Sequence, residues 1–282
     1  MRIKPIAADS LGVRSMATLV KTRDTSILID PSAALGPRRF GLRPHKVELK
    51  ALEESWNNIV EYAEDVDVII ITHYHYDHHS RKRNIEIYKG KILFIKDPQS
   101  MINDSQRWRS RAFLKRIEGL PERIIIADGK EFFIGDTLIS FSDPVPHGEQ
   151  NTKLGYVLEV FIERGTHSFL FSSDVEGLLD NSQVRFIVEH NPEVVYLDGP
   201  PVYLGERKLP WELLETSINN IRYVIENTDV RKLIIDHHLL RDLRFREYMG
   251  GINSFITVAD FIGVPLNMLE ARRRELWGVK SE

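Results

Sequence analysis

Residues 73–79 read His-Tyr-His-Tyr-Asp-His-His, four imidazoles and one carboxylate within seven positions. Imidazole and carboxylate suit zinc, iron or manganese. They are also the side chains left for the task, because the chain has no cysteine and so no thiolate site or disulfide. Val66 to Ile71, just before the run, is apolar except for Asp67, as in a strand buried on both faces. In extended chain, side chains two apart point the same way, so His73 and His75 converge on one point. A turn into a helix then aims Asp77 and His78 at a second point nearby. The alternative is a polar surface turn that happens to be His-rich. So many ligand groups abutting a buried strand weigh against it.

Other elements must complete the site. Strand-like runs, bounded by Gly, Asp or Pro, cover Thr18 to Thr22, Ser26 to Asp30, Val66 to Thr72, Lys91 to Lys96, Arg123 to Ala127, Thr137 to Ser142, Tyr156 to Ile162, Ser168 to Ser172, Val194 to Leu197 and Lys232 to Asp236. Apolar residues at helical spacing, Leu52-Trp56-Ile59-Val60-Ala63 and Trp211-Leu214-Ile218-Ile221-Ile225, predict two amphipathic helices. Phe255 to Ile262 and Met268 to Trp277 predict a closing helical pair. Residues 18–30 read strand, polar turn, strand, Asp, and residues 156–174 repeat that plan. Each hairpin leads through helical material to a buried strand. Two similar halves packed face to face give an α/β, four-layer αββα sandwich. No linker or low-complexity tract divides the chain, so 1–282 reads as one domain.

The formal net charge is -3, which excludes a global basic field for nucleic acid. Positive charge gathers locally at Arg38, Arg39, Arg43 and Lys46, at Arg81, Lys82 and Arg83, and along a helix carrying Arg107, Arg109, Arg111, Lys115 and Arg116. Solvated faces explain any one cluster, and Trp108 fits core anchoring better than base stacking. No apolar run approaches membrane-spanning length and no secretory apolar segment follows the first charges, so a cytoplasmic location is expected. The lack of Cys, few Met and many charges fit a thermophile.

The run Thr-His-Tyr-His-Tyr-Asp-His at 72–78 resembles the H-x-H-x-D-H motif of the metallo-β-lactamase superfamily of hydrolases, and the chain looks most like an uncharacterised archaeal branch of it. The resemblance covers nearly the whole chain. Asp30 after Leu28-Ile29, His147-Gly148 with Gly155-Tyr156, Asp174 after Ser172-Ser173, and Asp236-His237-His238 match its other elements. It implies the superfamily's αββα fold and two divalent cations, zinc being the first choice and manganese or iron the alternatives. His73, His75 and His147 would hold one ion, Asp77, His78 and His237 the other, with Asp174 bridging and Asp30 orienting the loop from behind. His237 is preferred to His238 as the last ligand because it directly follows its strand. In extended chain the two would point to opposite sides, leaving His238 to face substrate, donate a proton or simply pack. His79 has the same ambiguity. His167 and His190 read as structural, and His45 lies in a loop that could reach the site mouth.

Such a centre supplies a nucleophilic water at neutral pH and polarises the scissile group, with Asp77 orienting the nucleophile. The basic clusters favour a phosphodiester or nucleic-acid-related substrate. A lactonase or thioesterase would use the same metals on a carbonyl. A binding or scaffold protein that retains the fold is the third reading, disfavoured because every expected ligand position is filled.

Overall fold

A computed structural model describes residues 1–80 and 83–279. The strands β1 (Arg2–Pro5), β2 (Thr18–Lys21), β3 (Ser26–Ile29), β4 (Val68–Ile71), β5 (Ile92–Ile95) and β6 (Arg123–Ile126) form one sheet in that spatial order. Pairing is antiparallel from β1 to β3 and parallel from β3 to β6. The second half supplies β7 (Glu131–Ile134), β8 (Thr137–Phe141), a short ribbon of β9 (Val145–Pro146) with β10 (Tyr156–Val157), then β11 (Val160–Arg164), β12 (His167–Phe171), β13 (Val194–Asp198), β14 (Lys232–Asp236) and β15 (Phe255–Ile256). Its main sheet runs β15-β14-β13-β12-β11-β8-β7, parallel from β12 to β15.

Alternation along the strands sorts side chains into layers. Val20, Ile27, Ile29, Val68 and Ile70 of the first sheet meet Ile139, Val160, Ile162, Phe169, Phe171 and Ile234 of the second. The intervening Leu19, Leu28, Ile69 and Leu93 face outward, beneath Trp56 and Ile59 of helix α1 (Lys46–Glu64) and Phe113 of α2 (Asp104–Arg116). On the far side, Phe161, Leu170, Val195 and Ile235 lie under Val184 and Ile187 of α3 (Asn181–His190) and Leu214, Ile218 and Ile221 of α4 (Trp211–Asn227). The result is the four-layer αββα sandwich. Each Ile or Leu so buried stabilises the layers by about 1.5–3 kcal/mol.

Three expectations change. The proposed closing helical pair is mostly not helix. Phe255 and Ile256 pair with Leu233 and Ile234, so a free strand edge overrides their helical spacing. Only α5 (Val258–Ile262), ended by Gly263 at φ 75, and α6 (Arg273–Leu276) remain. The run from Tyr156 to Ile162 breaks after Val157, where Leu158 N–H donates across to Thr72 O and Glu159 N–H to Ser142 Oγ. His45 caps α1 through a bond from Val47 N–H, reciprocated by Glu48, and packs edge-on to Trp277 at 5.1 Å, away from the site. Arg81 and Lys82 lie outside the described residues, while Arg83 pairs with Glu53 at 2.9 Å. Among the described residues no helix is long and apolar enough to cross a membrane.

Candidate metal centre

The parallel strands β3, β4, β12, β13 and β14 all end at one edge of the sandwich, where crevices form in open α/β sheets. Each delivers polar residues there: Asp30, Thr72-His73, Ser173-Asp174, Asp198 and Asp236-His237. Asp30, Ser173 and His237 sit in the left-handed region at φ 47, 57 and 58. Such backbone costs about 1–3 kcal/mol per residue and concentrates at functional sites.

Asp174 occupies the middle. Its Oδ2 lies 3.5 Å from His73 Nε2 and 3.2 Å from His147 Nε2. Its Oδ1 lies 2.9 Å from His78 Nε2 and 3.3 Å from His237 Nε2. One carboxylate therefore faces two ligand groups with a different oxygen toward each. His75 joins the first group, its ring 4.9 Å from that of His147. Asp77 joins the second, with Oδ2 3.8 Å from His237 Nε2. The structure thus brings together all seven residues proposed as ligands.

The remaining ring nitrogens are fixed from behind. Asp30 Oδ2 is 2.8 Å from His78 Nδ1 and also accepts from Thr72 Oγ1 at 2.6 Å. Asp9 Oδ2 is 2.8 Å from His237 Nδ1, and its other oxygen accepts from Arg241 Nε at 2.9 Å. Thr72 and Ser173 hydroxyls lie 3.2 and 3.3 Å from His73 Nδ1. Such outer partners set which nitrogen faces a metal. Two buried glutamines hold the ligand loops. Gln106 of α2 accepts from Tyr74 N–H at 2.9 Å, between His73 and His75. Gln183 of α3 donates to the carbonyls of Pro146 and Gly148, on either side of His147. Gly148 has φ 93, a left-handed backbone that any other side chain would strain, and a Cβ there would stand 2.6 Å from Glu176 Oε2 and displace that carboxylate.

The donor set fits divalent cations. His73 Nε2, His78 Nε2, His147 Nε2 and Asp174 Oδ1 are buried without a hydrogen-bond partner among the described residues, although the three imidazoles are all aimed at the Asp174 carboxylate. Orphaned buried polar atoms are costly, and coordination satisfies them. Burial, reinforced by His78, pushes His73 down to about 3, so it is the neutral imidazole that a metal needs. Against the cost of burial, Asp174 raises His237 to about 10 and His78 well above its ordinary value. The buried carboxylate of Asp174 and the half-buried one of Asp77 call for positive charge between the imidazoles, and a metal would replace those protons.

His237 and His238 do not point to opposite sides. They begin a 3-10 turn, and their ring centroids are 4.5 Å apart. His238 Nδ1 bonds to both oxygens of Asp198 at 3.0 and 2.9 Å, and its ring stacks near Tyr203 at 6.3 Å and lines the cavity. His79 is buried with Nδ1 on His75 O, and burial pushes it down to about 3, a structural role. His167 pairs with Glu193, and His190 bonds Phe186 O and Ser140 Oγ, both remote from the centre.

A cavity of about 710 Å³ opens over the centre, lined by His75, Asp77, His147, Asp174 and His238. Among the described residues of the basic clusters, only Arg109 lines it, its guanidinium 4.6 Å from the Tyr76 ring. Its other cations, Arg14, Lys208 and Arg241, come from elsewhere. Arg39, from the first cluster, turns to the carbonyls of Tyr203 and Arg241. Trp108 is 58% exposed, so it does not anchor its helix to the core.

A family model described as "Beta-lactamase superfamily domain" matches residues 25–190, from β3 through α3. A UPF0282 protein of Korarchaeum cryptofilum is 48% identical over 98% of this chain and 94% of its own length. This chain is a UPF0282 member of the beta-lactamase superfamily. Another UPF0282 protein, from Metallosphaera sedula, is 45% identical over 98% of this chain and 93% of its own length. Solved structures share the fold. An isothiocyanate hydrolase from Delia radicum gut bacteria superposes with TM-score 0.57 at 17% identity, covering 87% of this chain and 94% of that one. A metal-dependent hydrolase of the beta-lactamase superfamily superposes with TM-score 0.54 at 14% identity, covering 91% and 95%. The family match ends before β13, so Asp198, His237 and His238 of this UPF0282 chain stand on the geometry alone.

Proposed function

We propose that this superfamily hydrolase is a phosphodiesterase built on a dinuclear divalent centre, zinc being the first choice of metal. The carrying observation is Asp174, whose two oxygens divide the imidazoles into two groups. His73, His75 and His147 would hold one ion, Asp77, His78 and His237 the other, and Asp174 both. When bound, the ions supply Lewis-acid activation of water and of the scissile group.

The chain's own residues do the rest. Asp77, 3.9 Å from Arg241 Nη2, orients the attacking water. Arg109 and Lys208 at the cavity favour an anionic substrate. Burial holds the Asp198 carboxyl up at about 8 and keeps His238 neutral, so Asp198 donates its proton to Nδ1 and the imidazole carries its own on Nε2 at the cavity. Nε2 gives that proton to the leaving oxygen as the P–O bond breaks, and Nδ1 takes the Asp198 proton in exchange. Asp198 fixes that ring.

The test is a screen of the metal-reconstituted protein against bis(4-nitrophenyl) phosphate, a diester with a poor alkyl leaving group, a lactone and a thioester. Both diesters should turn over faster than the carbonyl substrates. His238→Ala should lose about 10²–10⁴-fold with the alkyl leaving group and far less with 4-nitrophenolate, which leaves without a proton. Preferential cleavage of the lactone or thioester would overturn the reading.

A further inference from the structure

The cavity has two chemically different flanks. On one, Arg109 and Tyr76 stand with Glu149, Thr152 and Leu154. That loop is bound to α2, since Gln106 Nε2 donates to Leu154 O at 2.7 Å and Asn103 Nδ2 to Lys153 O at 2.8 Å. On the other stand Leu179, Pro201, Leu204, Leu209 and Leu213. Leu209 belongs to the apolar layer under α3 and α4, and Leu179 and Leu213 pack against it. The α2 flank and the α4 flank lie on opposite outer layers, with the centre between them. The leucine wall is also preformed: Gly205 N–H donates to Val202 O, and Leu209 N–H to Gly205 O.

The side chains of Leu179, Pro201, Leu204, Leu209 and Leu213 offer no hydrogen-bond donor or acceptor and reward apolar surface, with Lys208 the cation beside them. The wall is a poor seat for a nucleobase, whose edge would go unpaired there. The one aromatic ring nearby, Tyr203, is already stacked on His238 and approached by the Arg39 and Arg241 guanidiniums.

We infer that one ester arm of the substrate is a short alkyl or simple aryl group seated against Leu179, Leu204, Leu209 and Leu213, the other arm being polar or anionic and directed to Arg109. The substrate class is then a small asymmetric phosphodiester rather than a nucleic-acid chain. This rests on the phosphodiesterase reading above and narrows it.

The experiment uses the metal-loaded protein with methyl, butyl and hexyl 4-nitrophenyl phosphodiesters and a dinucleoside monophosphate. Each methylene added to the alkyl arm should raise kcat/KM by up to about fourfold until the wall is covered, with at least about tenfold between methyl and butyl. Leu204→Ser and Leu213→Ser, both at partly exposed positions, should each lower the butyl-to-methyl ratio severalfold. Calorimetry with butylphosphonate and methylphosphonate gives a readout independent of turnover, in which the butyl compound should bind with the more negative heat-capacity change. A flat series in which the methyl ester still turns over would overturn the apolar arm and leave the phosphodiesterase reading standing. Faster cleavage of the dinucleoside would also overturn it. No turnover of any diester would remove the parent reading, and equal calorimetric signatures would then remove the apolar seat as well.

Discussion

At the residue scale, the account turns on which atom of each side chain is left facing the centre. His78 and His237 each spend Nδ1 on a carboxylate, Asp30 and Asp9, and direct Nε2 at Asp174. Asp30→Asn and Asp9→Asn should each weaken metal binding by about 10–100-fold while the fold is retained, measured by competition with a calibrated chelator. Unchanged affinity in both would mean that these carboxylates serve only the fold. Asp30 was legible in the sequence because it closes a hairpin at a matched position. Asp9 was not, since it lies 228 positions from His237 and only the tertiary fold joins them. Asp198 left a readable trace, a carboxylate ending a buried strand as Asp30 and Asp236 do. Its service to His238 required the turn that the extended-chain argument missed.

At the scale of elements, the strands and main helices were readable because two-residue and 3.6-residue periodicities follow directly from burial. The edge strands β1 and β7 went unread, and the other failures sit where tertiary pairing overrode local pattern, at Phe255-Ile256 and at Leu158-Glu159. The second break buries Glu159 with neither carboxyl oxygen hydrogen-bonded among the described residues. Burial alone holds its carboxyl well above the ordinary value. The folded state therefore keeps this proton at pH values where the unfolded chain has released it. Its effect on stability is absent below the unfolded value of about 4.3 and grows as an increasing penalty as pH rises toward the folded value. Glu159→Gln should raise the Tm at pH 8, and the gain should vanish near pH 4. A gain independent of pH would show that the carboxyl is not the cause.

At the scale of the whole molecule, the two sheets matter because their parallel strand ends share an edge. The histidine run at the end of β4 supplies His73, His75, Asp77 and His78, and the second half supplies His147, Asp174 and His237. Ion pairs also join segments distant in sequence. Arg14 meets Glu270 at 2.5 Å, and Arg273 meets Glu48 at 2.6 Å with both side chains fully buried. The repeated hairpin plan made the shared edge legible in the sequence, whereas these buried pairs were not, because ion pairs carry no periodicity. The central claim, one carboxylate serving two metal positions, is tested most directly by metal analysis of the reconstituted protein beside Asp174→Ala. The account predicts two equivalents of divalent metal per chain in the first, and less than one in the second with a circular-dichroism spectrum still folded. A metal-free wild type after reconstitution, or two equivalents retained by Asp174→Ala, would contradict it.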